Sequence, residues 1–494
     1  MTRDVVDKLR DNLRSRSDER GIEFEERWAS WGEIARFGRA VVDALEAAGC
    51  PAQARVGIII RNRLAHAAAV IGLLAERRSI SFIYPFLPPA ALAETVAGLG
   101  AGAIIADRED WGKFGDAVAA AGCAGIALHG FAELPAPVVG LERSSRTVDG
   151  NGQNPEAGIE VLSSGTTGPP KRIAMPMRLL ERAVMSAPGA EAGEAPSVQI
   201  NIWPLGGVGG VCLLTASAVN GTPLVLIERF SVDQLVSALR RHRPTTLGLN
   251  PTAINMLMEA NVSKEDMASV ASVSGGSAYL DPDLQDRFEE RYGIPILWGM
   301  GATEFCGTIV RWTPEMRREV GAGKRGSAGL PMPGVEIRAI DPETGVEAPR
   351  GAEGLLEVHC PAVRPDWVRT TDLVTIDADG YVFHRGRHDG AIVRGGFKIL
   401  PERLVEALRR HPAVHDASVV GISDARLGAV PVAAVELTGN AAGTDAETLL
   451  AYLRAQLPPT HIPARLCIVD ALPRTPSLKV SLGDVRRMFE PEHA

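Results

Sequence analysis

The segment LSSGTTGPPKR, residues 162–172, carries more information than any other stretch of this chain. Ser163, Ser164, Thr166 and Thr167 surround Gly165 and Gly168, and Pro169 and Pro170 lead into Lys171. The preceding IEVLSS reads as a short buried strand, so the hydroxyl- and glycine-rich run is the loop that leaves it. Glycines let backbone amides close on an anion, and hydroxyls add donors in little space. Lys171 supplies a point charge. The chemistry is that of a polyphosphate cradle. It is not the Walker loop, whose Gly-Lys-Ser/Thr ending opens a helix, because prolines stand directly before this lysine. Taken alone, the run fits an exposed Ser/Thr/Gly linker equally well.

Outward from this loop, helix and strand patterns alternate. SWGEIARFGRAVVDALEAAG (30–49) has the period of an amphipathic helix, ARVGIIIRN (54–62) reads as a buried strand, LAHAAAVIGLLAERR (64–78) as a second helix and SISFIYP (79–85) as extended. Such alternation predicts a parallel α/β architecture. Two polar, glycine-rich stretches, 144–158 and 186–196, read as surface loops, and no internal repeat is present. A smaller pattern begins near residue 389: ILPERLVEALRRHPAV, DASVVGISD and VPVAAVEL alternate helix and strand over about a hundred residues, a common domain size. GRHDG (386–390) is the expected hinge. The predicted division is 1–387 and 388–494.

With 494 residues the chain is too long for one core. Its 45% hydrophobic and 23% charged residues are those of an ordinary globular protein. A net charge of −8 exerts no general pull on nucleic acid or anionic membrane. The N-terminal MTRDVVDKLRDNLRSRSDER has no apolar signal core, and no apolar run is long enough to span a bilayer. The six cysteines (Cys50, Cys123, Cys212, Cys306, Cys360 and Cys467) lack metal-ligand spacing and read as reduced thiols of a cytoplasmic protein. Cys306, beside a motif described next, reads as a small core residue.

The loop resembles the signature of the adenylate-forming superfamily (acyl-CoA synthetases, firefly luciferase and peptide-synthetase adenylation domains), which runs approximately T-S-G-T-T-G-x-P-K-G; only Arg172 departs, in place of a small residue. Further matches follow in order along nearly the whole chain. SVSGGSAY (272–279), with Gly275, Gly276 and Ser277, is similar to the loop lying against adenine. LWGMGATEF (297–305) resembles Y-G-x-T-E: Met300 stands where an aromatic usually stacks on adenine, next to Gly301. Thr303 matches an α-phosphate contact and Glu304 the magnesium ligand. RTTDLVTIDADGYVFHRGRHDGAIVRGGFKI (369–399) resembles T-G-D, D-x-x-G-Y, G-R-x-D and a glycine pair. That assigns Asp372 to the ribose hydroxyls, Arg387 to the nucleotide, Asp389 to the hinge, and Gly395 and Gly396 to the coenzyme A channel. LPRTPSLKVSL (472–482) resembles P-R-T-x-x-G-K. It makes Lys479 the catalytic lysine, with Leu478 replacing a glycine and stiffening the loop. His384 and His388 have no partner evident in the sequence and read as solvated.

The resemblance implies a large N-terminal domain of β-sheets flanked by helices, followed by a small mobile α+β lid, with the site in the cleft between them. It implies ATP- and Mg²⁺-dependent activation of a carboxylic acid to an acyl-adenylate, then transfer to coenzyme A. Where relatives carry P-L-F-H-x-G-G beside the acyl pocket, this chain has WPLGGVGG (203–210). Trp203, Gly206, Gly207 and Gly209 thus bound either a roomier pocket or one whose missing side chains are replaced from elsewhere. No acidic residue in 201–210 could hold an α-ammonium group, which argues against amino acids. A separate acyl carrier protein as acceptor, and a catalytically silent nucleotide-binding scaffold, are the competing readings. The sequence leaves open whether the acid is aliphatic, aromatic or polycyclic; it leaves the assembly open too, a homodimer being the commonest closed form.

Overall fold

The computed structural model describes residues 4–85, 87, 89–145, 157–162, 172–185, 197–276, 278–388, 390–394, 397–424, 426–439, 441, 443–475 and 478–490. A seven-stranded sheet forms the first body, in the order Ala136–Pro137, Ala124–Leu128, Ala103–Asp107, Arg55–Ile59, Ser79–Ile83, Gly158–Leu162 and Arg172–Pro176. The five inner strands are parallel and the two outermost pair antiparallel. Every residue of Ser79–Ile83, Ala103–Asp107 and Ala124–Leu128 is buried, as a parallel sheet covered on both faces requires.

The helices predicted on either side of ARVGIIIRN are Trp31–Ala47 and Leu64–Ala75. The first is started by a capping box: Ser30 Oγ accepts the Glu33 N–H, and Glu33 accepts the Ser30 N–H. The second is apolar all round and wholly buried. They cross through Gly38 and Gly72; a Cβ on Gly72 would lie 2.4 Å from the Gly38 Cα.

A second sheet runs Thr246–Leu249, Ser272–Gly275, Ile296–Ala302, Gly307–Arg311 and Leu330–Pro331, its first three strands parallel. A four-stranded sheet combines Gln199–Asn201 and Leu224–Leu226 with the N-terminal hairpin Arg20–Phe24 and Arg27–Ser30. Asn62 fastens the four-stranded sheet to the first sheet. Its amide donates to the carbonyls of Trp203 (2.9 Å) and Ile227 (3.0 Å) and accepts the Leu205 N–H (2.7 Å). Beside it, Asp107 gathers Arg61, Arg63 and the fully buried His66.

An antiparallel sheet of Glu336–Ile340, Glu353–Cys360, Arg364–Ile376 and Val382–Arg387 completes the large part. The next strand, Ile392–Arg394, already belongs to the last sheet, with Phe397–Ile399, Gly428–Leu437, Val414–Asp424 and Arg465–Val469. That sheet has its own core, centred on Leu404, Leu408, Val435, Leu449 and Leu453. The architecture is mixed α/β with a large N-terminal and a small C-terminal domain, as the sequence led us to expect.

Candidate active site

The strands Gly158–Leu162 and Arg172–Pro176 pair antiparallel, with Leu162 opposite Arg172, and so bring together the two ends of the 163–171 loop. Ile159 and Val161 are buried, as read from the sequence. The cradle residues Ser163, Ser164, Gly165, Thr166, Thr167, Gly168 and Lys171 lie outside the described residues, as do Ser277, Asp389, Gly395 and Gly396. Arg172 and Glu304 line one cavity of about 510 Å³, together with Arg178 and Arg364. Burial lowers the pKa of the Arg172 guanidinium, against the pull of Glu160 and with Arg55 adding to the shift. Glu304 is exposed on a short 3₁₀ turn, Thr303–Phe305, anchored by the buried Phe305. Glu160 lines the same cavity but is held by Arg55 (2.7 Å), whereas the exposed Glu304 carboxylate suits Mg²⁺, which takes one or two carboxylates and completes its shell with substrate phosphates and water.

The segments whose resemblance assigns them to adenine are built by close backbone approach. Gly275 ends its strand where a Cβ would lie 2.2 Å from the Leu249 carbonyl oxygen and 2.3 Å from Cζ3 of Trp298. At Gly276 a Cβ would lie 2.9 Å from the Gly299 carbonyl oxygen. The two glycines therefore lie against the strand that carries Met300 and Gly301. The pairing of that strand with Gly307–Arg311 shifts register between Met300 and Gly301, a bulge of the kind that re-aims side chains near sites. Met300 is half-buried against the cluster of Phe305, Ile309 and Val310. Cys306 is buried, and burial pushes its thiol up to about 11; it is the core residue expected.

Asp372 and Arg387 face each other on adjacent antiparallel strands. Arg387 donates to Thr371 Oγ1 at 2.7 Å, and the Asp372 N–H donates to Thr370 Oγ1 at 3.1 Å. The solvated reading of His384 is corrected here: its Nε2 lies 3.3 Å from Asp372 Oδ1, and the side chain is only 24% exposed. The pair depends on cross-strand register, which residue spacing does not disclose. Glu402 is a further residue the sequence reading missed. It opens the helix Pro401–Arg409 of the small domain and presses on Gly386, where a Cβ would lie 2.9 Å from Glu402 Oε2. That oxygen is buried without a hydrogen-bond partner among the described residues. Burial raises the Glu402 pKa, against the pull of His384 and Arg387.

A raised carboxyl pKa means that this packing is fully stable below the ordinary value of 4.5 and loses stability as pH rises through the raised one. Glu402→Gln is therefore expected to stabilise the protein at neutral pH by about 1 kcal/mol and to make no difference below the ordinary carboxylate range. Urea midpoints across pH check this.

Lys479 lies in the loop between Arg474 and Val480, which form an isolated bridge. Thr475 N–H donates to the Lys479 carbonyl (2.7 Å), and Leu478 N–H to the Thr475 carbonyl (2.8 Å). Leu478 has φ +63°, the left-handed conformation that its glycine counterpart would adopt freely. Burial lowers the pKa of the Lys479 ammonium, and the nearby Arg387 lowers it further. Lys479 is thus near Arg387, which stands opposite Asp372 on the adjacent strand, and Asp372 in turn faces His384.

On the acyl side, a Cβ on Gly206 would lie 3.0 Å from Ile60 Cγ2 and 3.1 Å from the Tyr84 ring. The Trp203 ring lies 3.7 Å from the corresponding position on Gly209, and its Nε1 3.2 Å from that on Gly248. Gly207 caps the helix Val208–Asn220. Tyr84 and Trp203 therefore occupy space beside the glycines that the WPLGGVGG pattern left open. Tyr84 follows a buried strand far away in sequence, and no local pattern points it at Gly206.

Residues 9–365 match the AMP-binding enzyme family, and residues 406–479 match the AMP-binding enzyme C-terminal domain. The chain is 27% identical to 4-coumarate–CoA ligase-like 9 of Oryza sativa subsp. japonica, over 93% of its own length and 87% of that protein's. It is 31% identical to 2-succinylbenzoate–CoA ligase of Bacillus subtilis (strain 168), over 66% and 68% respectively. Among solved structures, ATP-bound MatB from Rhodopseudomonas palustris shares the fold with a TM-score of 0.83 at 22% identity, each chain covered to 99%. The Bacillus subtilis o-succinylbenzoate CoA synthetase bound to its acyl-adenylate does so with a TM-score of 0.78 at 21% identity, each chain covered to 98%.

Proposed function

The chain belongs to the AMP-binding enzyme family, and from that premise we propose that it is an AMP-forming acid–CoA ligase using ATP, Mg²⁺ and coenzyme A. The observation that carries the reading is the nearness of Lys479 to Arg387, itself opposite Asp372 on the adjacent strand: two cations and one acid of the kind that a nucleotide and its α-phosphate call for. The substrate carboxylate attacks the α-phosphorus of ATP, the bond to the β-phosphate breaks and pyrophosphate leaves. The 163–171 loop holds the departing phosphates, Asp372 accepts the ribose hydroxyls, and the Lys479 ammonium faces the charge that builds on the α-phosphate. Mg²⁺ on Glu304 would neutralise phosphate charge. Each well-aimed donor contributes ~3 kcal/mol at such a transition state.

The small domain, whose boundary we place between residues 387 and 388, then turns about Asp389. The turn withdraws Lys479 and brings Gly395 and Gly396 to the site. The coenzyme A thiol, losing its proton, attacks the acyl carbon, and AMP leaves. Coenzyme A is preferred to a carrier protein because the curated relatives named above are CoA ligases. The acid is a monocarboxylic one with an apolar body, since Ile60, Tyr84 and Trp203 stand beside the acyl glycines. No described helix is long and apolar enough to cross a membrane.

Pyrophosphate release across a panel of aliphatic, aromatic and polycyclic acids, with and without coenzyme A, tests the proposal. Release confined to one acid class, with acyl-CoA in the same tubes, is the expected result. Adenylate without thioester would move the acceptor to a carrier protein, and silence with ATP still bound would favour the scaffold.

A further inference from the structure

The geometry points to Thr252 as a positioning residue for adenylation: its hydroxyl, on the large domain, captures the Leu478 carbonyl and thereby seats Lys479. The inference rests on the ligase reading above.

Thr252 Oγ1 donates to the Leu478 carbonyl at 3.0 Å. Arg474 spans both groups, its Nη1 lying 3.3 Å from Thr252 Oγ1 and 3.3 Å from the same carbonyl. A hydroxyl that accepts from the guanidinium and donates to the carbonyl has its proton direction fixed. Arg474 is held in turn by Asp416 (2.5 Å), which Arg409 also grips (2.6 Å), so the small domain's side of the contact is braced from its own core. The carbonyl belongs to the residue immediately before Lys479, and that residue is in the left-handed region. For a leucine this conformation is strained, and it persists because the loop's own hydrogen bonds and the Thr252 contact both require the carbonyl where it is.

Thr252 is itself rigidly placed. It lies in the first turn of the helix Pro251–Glu259, with proline at the first position and Asn250 capping the Ala253 N–H at 2.8 Å. The strand leading into that helix ends at Leu249, whose carbonyl abuts Gly275. The hydroxyl is thus indexed to the strand that forms the adenine side, and through it Lys479 is indexed to the nucleotide. The far end of the same helix holds the small domain again, through Glu259 and His415 Nδ1 at 2.8 Å. Rotation of the small domain for thioester formation carries residue 478 away and breaks the contact, so Thr252 acts in one half-reaction only.

The test separates the half-reactions. Thr252→Val keeps the shape and removes the hydroxyl; Thr252→Ser keeps the hydroxyl. In Thr252→Val, acid-dependent ATP–pyrophosphate exchange is expected to fall roughly tenfold in kcat with KM for ATP unchanged. Thioester formation from supplied acyl-adenylate and coenzyme A stays at the wild-type rate, and Thr252→Ser restores exchange. Equal loss in both half-reactions, no loss in either, or failure of serine to restore exchange overturns the proposal. A wild type inactive with every acid would sink the ligase reading and this proposal with it; an active wild type matched by Thr252→Val sinks this proposal alone.

Discussion

Lys479→Ala is expected to lower acid-dependent ATP–pyrophosphate exchange by roughly 10²–10³-fold, the cost of deleting one preorganised donor at a charged transition state. The loss should fall on kcat and kcat/KM together, because the ammonium matters most where negative charge peaks. Folding should not suffer. A lysine whose pKa burial depresses favours this packing when neutral, and that contribution is lost as pH falls through the depressed value. At neutral pH alanine therefore removes a strained charge, and the unfolding midpoint should stay level or rise. For the wild type, kcat/KM should decline on the alkaline side below the ordinary lysine value of 10.5, since that parameter follows the free enzyme. Wild-type exchange in Lys479→Ala would remove the lysine from the mechanism.

The second large effect is expected from a single methyl group. Gly275→Ala drives a Cβ to within 2.2 Å of the Leu249 carbonyl oxygen and 2.3 Å of the Trp298 ring. One obstacle is backbone and the other an indole only 6% exposed, so neither can step aside cheaply. Overpacking of this kind costs about 3 kcal/mol. The strand must move away from Thr246–Leu249, which carries it off the line that sets Gly276 against Gly299. A lower urea midpoint with weakened ATP binding is the expected pair of results; a midpoint equal to wild type would show that the strands accommodate the methyl group.

The sequence reveals what is local and hides what is relayed across elements. The two N-terminal helices, the buried strands and the α+β character of the lid were legible because hydrophobic period and glycine-rich turns are written in consecutive residues. Asp372, Arg387 and Lys479 were legible only through motifs, since nothing in their spacing says that Arg387 stands near the other two. Tyr84 beside Gly206, His384 on Asp372 and Thr252 on Leu478 were not legible at all. Each depends on the register or docking of elements far apart in the chain. Leu478 is instructive in a different way: the sequence reading took its side chain as a stiffening of the loop, whereas the fold keeps the glycine conformation and makes leucine adopt it.

Asn62 ties together bodies that no strand pairing joins, and it does so without charge. Its three partners are a backbone amide and two carbonyls, and beside it Arg63 and Glu228 (2.7 Å) add an ion pair across the same junction. The small domain meets the large one elsewhere, through Thr252 and the Leu478 carbonyl and through Glu259 and His415 (2.8 Å). The helix Pro251–Glu259 of the large domain thus touches the small domain at both of its ends, so that a tilt of this one helix would be felt at the residue before Lys479 and at His415 alike.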